Sequence, residues 1–368
     1  MHADDIRTLA SGRDSLKRQI DLVKCFASEN FLRLNVTKCE IVSFGKSVDR
    51  SPDADSDFVV DGSAIPYVDE GKCLGFWWRH DLMATRSVEE NVKKARSAFF
   101  KMGGIGAFQG DLSPLSTKSV INTCVLRVLL YGCENWILSE GNMVKLNSAV
   151  GELCKRALRW PRHFSNTAAI VVLGLDSATV SVLMRKLGFL YRLLDGRENV
   201  GSVVMGTLMD DVESVVLVQE CRDLEEKFGT PFVDWFLRDK GTVSMCEVKE
   251  KLRRLDREML LEKCDVMYPV VADIERKIGW RHLWETALDL GYRHTKGLQA
   301  LSRLICHHGR GKKPCPLCDC ELSTTSLLDH VLAVHDDKIR VFGLTSSNIV
   351  ERLLSNDIKF VYCFWSLF

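Results

Sequence analysis

The chain contains no run of about 18 consecutive apolar residues, which excludes an obvious membrane-spanning helix. Its first residues lack the apolar segment of a secretory signal, so a cytoplasmic or nuclear, not secreted, protein is expected. In such a reducing setting the 14 cysteines would be free thiols or metal ligands, not disulfides. Asn35-Val36-Thr37 fits a glycosylation acceptor, but without a secretory signal the match is chance. An excess of either charge is also missing. Fifty Lys and Arg against 49 Asp and Glu leave a net charge of +1, so nucleic-acid binding would have to come from local patches. Internal repeats, low-complexity tracts, a nucleophile elbow, a P-loop and an HExxH motif are all absent, which leaves a self-contained hydrolytic or transfer site without support.

What remains is an ordinary globular composition, 46% apolar and 27% charged over 368 residues, enough for two or three domains. Leu16, Ile20, Val23 and Ala27 predict a helix over 12–29. Residues 38–46 read as a strand, 58–68 as a hairpin turning at Asp61-Gly62, 72–78 as a further strand and 50–57 as a loop. Ser87 and Glu90 form a capping-box pattern opening a helix with Val88, Val92, Ala95 and Phe99 on one face, broken at Gly103, Gly104 and Gly106. Ser113-Pro114 starts another that runs to about Tyr131, apolar nearly all round and therefore central. Helices follow at about 140–159, 165–173, 178–195, 214–228, 243–265, 272–290 and 295–308, the first closed by Pro161 and the third capped by Ser177. The expected fold is mainly α: a small α+β segment, a long helical region and a C-terminal Cys/His module. The tail KFVYCFWSLF is strongly apolar; it would dock as a core strand or helix, or else be a solubility liability.

Ala3-Asp4-Asp5, a helical stretch, Leu32-Arg33-Leu34-Asn35, Lys38-Cys39-Glu40 and the strand-like Ile41-Val42-Ser43-Phe44 follow one another in that order. Lys72-Cys73-Leu74-Gly75 comes next, and LLYGCENWILSEGNMVKLNSAVGELCKRALRWPR spans 129–162. The series resembles the back half of the palm, and then the thumb, of the reverse transcriptases of non-LTR (LINE-type) retrotransposons. The likeness covers about 1–195. His2 departs from it, since an aromatic residue is usual before Ala-Asp-Asp.

The resemblance implies a palm remnant over 1–80, a thumb-like region over 81–215, a helical connector over 216–300, a zinc module over 301–345 and an apolar tail over 346–368. It implies that Asp4 is a Mg²⁺ ligand with Asp5 beside it, that Lys38 assists proton transfer near an incoming triphosphate, and that Leu74 and Gly75 lie on the strand gripping the primer end. Two-metal phosphoryl transfer needs further carboxylates. The family's third Asp comes from an earlier strand, so Mg²⁺ is expected only if an upstream palm segment completes the site, in cis or supplied in trans. The expectation is a truncated reverse-transcriptase fragment that binds RNA or an RNA–DNA duplex, has no membrane partner and does not polymerise unaided. The alternative is a helical nucleic-acid-binding or adaptor protein with a zinc finger and a vestigial palm. Taken in isolation, an acidic pair such as Asp4-Asp5 is an ordinary solvated turn.

Lys155, Arg159 and Arg162 fall at i, i+4 and i+7, flanked by Arg156. The row fits either phosphate contact along a duplex or a plain solvated helix face. Lys93, Lys94, Arg96 and Lys101 carry the same two readings, and Trp136 and Trp160 are either base-stacking or core residues. The run His307-His308-Gly309-Arg310-Gly311-Lys312-Lys313 is basic and adjoins a CxxC, which marks Arg310, Lys312 and Lys313 as candidate nucleic-acid contacts. Cys315 and Cys318 on a turn, with His330 and His335 on a following helix, make a four-ligand set that suits structural Zn²⁺. Cys320 is a substitute ligand, and the competing reading is reduced surface thiols beside helix histidines.

Overall fold

The computed structural model describes residues 6–44, 58–105, 112–195, 215–238, 244–306, 313–315, 317–318, 320–322, 327–335, 348–354, 361 and 364. Asp4, Asp5, Arg310, Lys312 and the 50–57 loop lie outside the described residues. The chain divides into two units, Met1–Ala84 and Thr85–Phe368.

In the first unit, helix α1 (Arg13–Glu29) lays Leu16 and Ile20 on a small core of Phe58, Val60 and Ile65. Strands β1 (Val59–Val60) and β2 (Ser63–Ala64) pair through the expected turn. Asp61 (φ 48°) and Gly62 (φ 78°) are both left-handed there, the geometry a two-residue hairpin requires. Two expectations are corrected. The 72–78 segment is not one strand but most of a second hairpin, β3 (Glu70–Cys73) and β4 (Phe76–Arg79), with Leu74 (φ 49°) and Gly75 (φ 80°) at its tip. Over the described part of 38–46 there is no strand, only a parallel bridge of Ile41 to Tyr67. The Ile41 amide donates to Pro66 O and Ile41 O accepts from Val68 N, and Pro66 has no N–H to carry the ladder further.

The second unit is helical. Helix α2 (Thr85–Lys101) starts before Ser87, so Ser87 is not its cap. It is buried on the same face as Val88, Asn91, Ala95 and Phe99. Helix α3 (Pro114–Val120) is capped by Ser113, whose hydroxyl accepts from the Ser116 amide at 3.1 Å. The single helix expected to Tyr131 comes in pieces: a π turn at Ile121–Val125 and then α4 (Leu126–Leu129). That widened turn re-phases the chain, so Ile121, Val125, Leu126 and Leu129 all face inward. Ser139 caps α5 (Glu140–Ala157), and Ser165 caps α6 (Asn166–Leu173), which ends at the left-handed Gly174. Ser177 caps α7 (Ala178–Asp195) as expected, accepting from Val180 N, and the buried Asp256 carboxylate takes both its hydroxyl and its amide proton.

Helices α8 (Val216–Glu225) and α9 (Phe232–Arg238) follow; α9 was too short to show a period in the sequence. Helix α10 (Met245–Met267) opens with a full Ser244–Glu247 capping box. The expected 272–290 helix is two, α11 (Pro269–Lys277) and α12 (Trp280–Asp289), because Gly279 adopts φ 87° between them. Helix α13 (Tyr292–Cys306) follows, and a later short helix, Ile349–Leu354, packs against α11.

Helix α10 packs against α6, α7 and α11, so the region expected as a connector shares one core with the expected thumb. Trp136, Trp280 and Trp284 are fully buried there, and Trp160 nearly so, which assigns Trp136 and Trp160 to the core. No single helix among the described residues is long and apolar enough to cross a membrane.

Candidate functional site

Two short strands, β5 (Lys313–Pro314) and β6 (Glu321–Leu322), form an antiparallel hairpin followed by helix α14 (Leu327–Val334). The hairpin turn carries Cys315 and Cys318; α14 carries His330, and His335 follows its last turn. Ligand atoms of all four lie within 4.8 Å of one another, so the group could hold a metal ion. Cys315 Sγ is 3.6 Å from His335 Nε2, and Cys318 Sγ is 3.3 Å from His330 Nε2. A tetrahedral ion with metal–sulfur and metal–nitrogen bonds near 2.3 and 2.0 Å sets sulfur–nitrogen edges of about 3.6 Å, so little movement is needed to close the shell.

The turn is shaped by its backbone. The Cys315 amide donates to Cys320 O at 2.8 Å, and the Leu317 amide points at Cys315 Sγ at 3.4 Å. Burial pushes the Cys315 thiol up, and a bound cation would reverse this by stabilising the thiolate. Cys315 and His335 are buried, while Cys318 and His330 are partly covered. Cys320 is exposed and stands outside the four-ligand group; its contribution is a carbonyl.

The basic row after α5 is rearranged relative to the expectation. Lys155 leaves it. Its side chain is buried and its ammonium donates to Arg162 O at 2.7 Å and Phe164 O at 3.1 Å, folding the turn that follows the helix. The helix stops at Ala157. The amide of Trp160 reaches back to Lys155 O at 2.6 Å, and Arg159 takes φ 57°, a left-handed position usually given to glycine.

Three arginines remain toward solvent. Arg156 stacks on the Phe100 ring, 4.8 Å from its centroid. Arg159 is partly exposed and Arg162 exposed, and neither has a carboxylate partner among the described residues. Three nearby cations are neutralised: Arg96 pairs with Glu152 at 2.9 Å, Lys145 with Glu89 at 2.6 Å and Lys94 with Glu90 at 4.0 Å. The Lys145 hydrogen bond holds the Glu89 carboxyl below its usual range.

Residues missed in the sequence support this turn from below. On one face of α13, Gln299 Nε2 donates to Ala157 O at 3.4 Å, Arg303 donates to Arg159 O, and Ser302 Oγ accepts from the Trp160 indole at 3.2 Å. Their i, i+3, i+4 spacing was visible, but Gln299 and Arg303 donate to main-chain carbonyls and Ser302 accepts from a distant indole, contacts that leave no trace in composition. Elsewhere, Lys38 is exposed at the end of a 3₁₀ turn (Val36–Lys38), and Leu74 is 76% exposed beside Gly75. Lys313 lies in β5. The group that could hold a metal ion among the described residues does not include Lys38, Leu74 or Gly75.

Compared with known proteins, the chain matches no family model, no curated protein and no solved structure.

Proposed function

We infer that the chain is a nucleic-acid-binding segment of retrotransposon-derived reverse-transcriptase ancestry, gripping an RNA or RNA–DNA duplex through the turn Arg156–Arg162 and stabilised by a zinc-holding C-terminal module. The observation that carries the reading is the arginine turn. In a chain of net charge +1, where Arg96 and Lys145 are paired with carboxylates, Arg159 and Arg162 have no carboxylate partner among the described residues. Arg159 also occupies a strained left-handed position, the kind of local cost that accompanies function. Guanidinium groups suit phosphate oxygens, and each neutralised phosphate releases counterions.

Support for the ancestry is the order of the sequence motifs from Asp4-Asp5 through Lys72–Gly75 to the 129–162 segment. Support for zinc is two sulfurs and two imidazole nitrogens within 4.8 Å of one another, a donor set that favours Zn²⁺ over harder ions. With four protein ligands, Cys315, Cys318, His330 and His335, such a metal would be structural. Synthesis, in this reading, needs the palm strand that the resemblance places upstream. Mg²⁺ would then bind through Asp4 with that strand's carboxylate.

The test is electrophoretic binding of an RNA–DNA duplex across a salt series, with primer extension in parallel, with and without an upstream palm segment in trans. Salt-dependent binding, with extension only when the segment is added and lost in Asp4→Asn, is the expected result. No binding at low salt would overturn the reading and leave the helical adaptor, which the ion pairs of Lys94 and Arg96 on α2 favour.

A further inference from the structure

Helix α13 touches both halves of the candidate site. One of its faces holds the arginine turn: Gln299, Ser302 and Arg303 meet Ala157 O, the Trp160 indole and Arg159 O. Ser302 is fully buried and its hydroxyl also donates to Gln299 O at 2.7 Å, so these contacts are locked to the helix backbone. Helix α14 of the metal module packs against the same α13. Leu327, Leu328 and Val331 are buried in it, and His330 and His335 supply half of the metal ligands. The module itself is two two-residue strands and an eight-residue helix, too little to build a core alone. A bound ion would therefore do most of the work of fixing α14.

We propose that metal loading of the Cys315, Cys318, His330 and His335 group sets how firmly the arginine turn is held, acting through α13. With the ion in place, α14 covers α13, α13 keeps Gln299 and Arg303 on the 157–159 backbone and Ser302 on the Trp160 indole, and Arg159 and Arg162 are presented in one arrangement. Without it, α13 loses that cover and the turn opens. That the turn contacts phosphates rests on the proposed function; the mechanical link does not.

Hydrogen–deuterium exchange on the full chain, zinc-loaded and after EDTA treatment, tests the link. Stripping should speed exchange several-fold in 153–164 and 292–306 as well as in 327–335, leaving α8 and α1 unchanged. Opening of 327–335 with 153–164 unaffected would overturn the proposal. Where stripping also opens α8, Arg303→Gln in the zinc-loaded chain decides instead. Faster exchange in 153–164, with 327–335 still protected and one zinc retained, supports the link, and no change overturns it. Duplex binding separates the link from the reading beneath it. Chelation should weaken affinity in the unmodified chain and have no such effect once Arg159 and Arg162 are both alanine. Coupled exchange with unmoved duplex affinity would keep the link and sink the nucleic-acid reading of the turn.

Discussion

The ammonium of Lys155 lies 2.7 Å from the carbonyl oxygen of Arg162, seven residues on, and 3.1 Å from that of Phe164. A cation expected on a solvent-facing row is instead the internal tie of a turn. Its carbonyl partners are dipoles, not charges, so burial dominates and lowers the Lys155 pKa. Two charge-assisted hydrogen bonds to otherwise orphaned carbonyls make it costly to lose. Lys155→Met should destabilise the second unit by about 2–3 kcal/mol. Chemical denaturation checks this, and an effect below about 0.5 kcal/mol would mean that water replaces the ammonium without loss.

Arg159 and Arg162 should behave in the opposite way. Arg162→Ala should barely alter stability but lower the salt slope of duplex binding by about 0.9. Arg159→Gly should raise stability by about 1 kcal/mol, because glycine carries no penalty at φ 57°, while also weakening binding. A variant that is more stable yet binds less tightly would show that the strain is kept for the guanidinium. A stability gain with binding unchanged would remove Arg159 from the interface.

The metal group predicts one Zn²⁺ or Co²⁺ per chain. Cobalt substitution should give the intense thiolate charge-transfer and tetrahedral bands of a two-sulfur site. Cys318→Ser should reduce affinity by at least roughly 100-fold. Because burial raises the Cys315 thiol, proton competition should weaken loading as pH falls. A weak, octahedral cobalt spectrum would contradict the four-ligand assignment.

These outcomes bear on what the sequence could say. Caps were partly legible: Ser113 and Ser177 accept the amide proton their position predicts, whereas Ser87 lies inside α2, and the caps Ser139 and Ser165 were not expected. The Cys315, Cys318, His330 and His335 group, which could hold a metal, was legible as well, since its residue types and spacing carry the chemistry. In the basic row, with Arg162 expected just past the helix end, what was missed is that Lys155 is buried as the tie of the turn. With α5 ending at Ala157 and Arg159 left-handed, Lys155 and Arg162 are no longer on a common face. The breaks at Gly279 and at the π turn after Val120 were missed because apolar periodicity continues across both, and only the backbone shows the interruption. Gln299, Ser302 and Arg303 were invisible because nothing in a sequence marks a donor to a distant carbonyl or an acceptor for a distant indole.

Glu225 gives the second unit a pH dependence with a definite sign. Its side chain is buried and its carboxylate accepts from the Val233 amide at 2.8 Å. Burial outweighs that hydrogen bond, with Arg222 opposing it and Asp234 adding to it, and the carboxyl is pushed up to about 7 from 4.5. Between those two values the folded chain keeps a proton that the unfolded chain has released. The stabilising contribution is therefore complete below about pH 4.5 and is lost as pH rises through about 7. Glu225→Gln keeps an oxygen facing Val233 but cannot ionise, so it should flatten this part of the stability profile. Denaturation midpoints at pH 5 and pH 8 check it: the drop between them should be smaller in the variant. An equal drop would mean that the carboxyl reaches water in the folded state, contrary to its burial against α9.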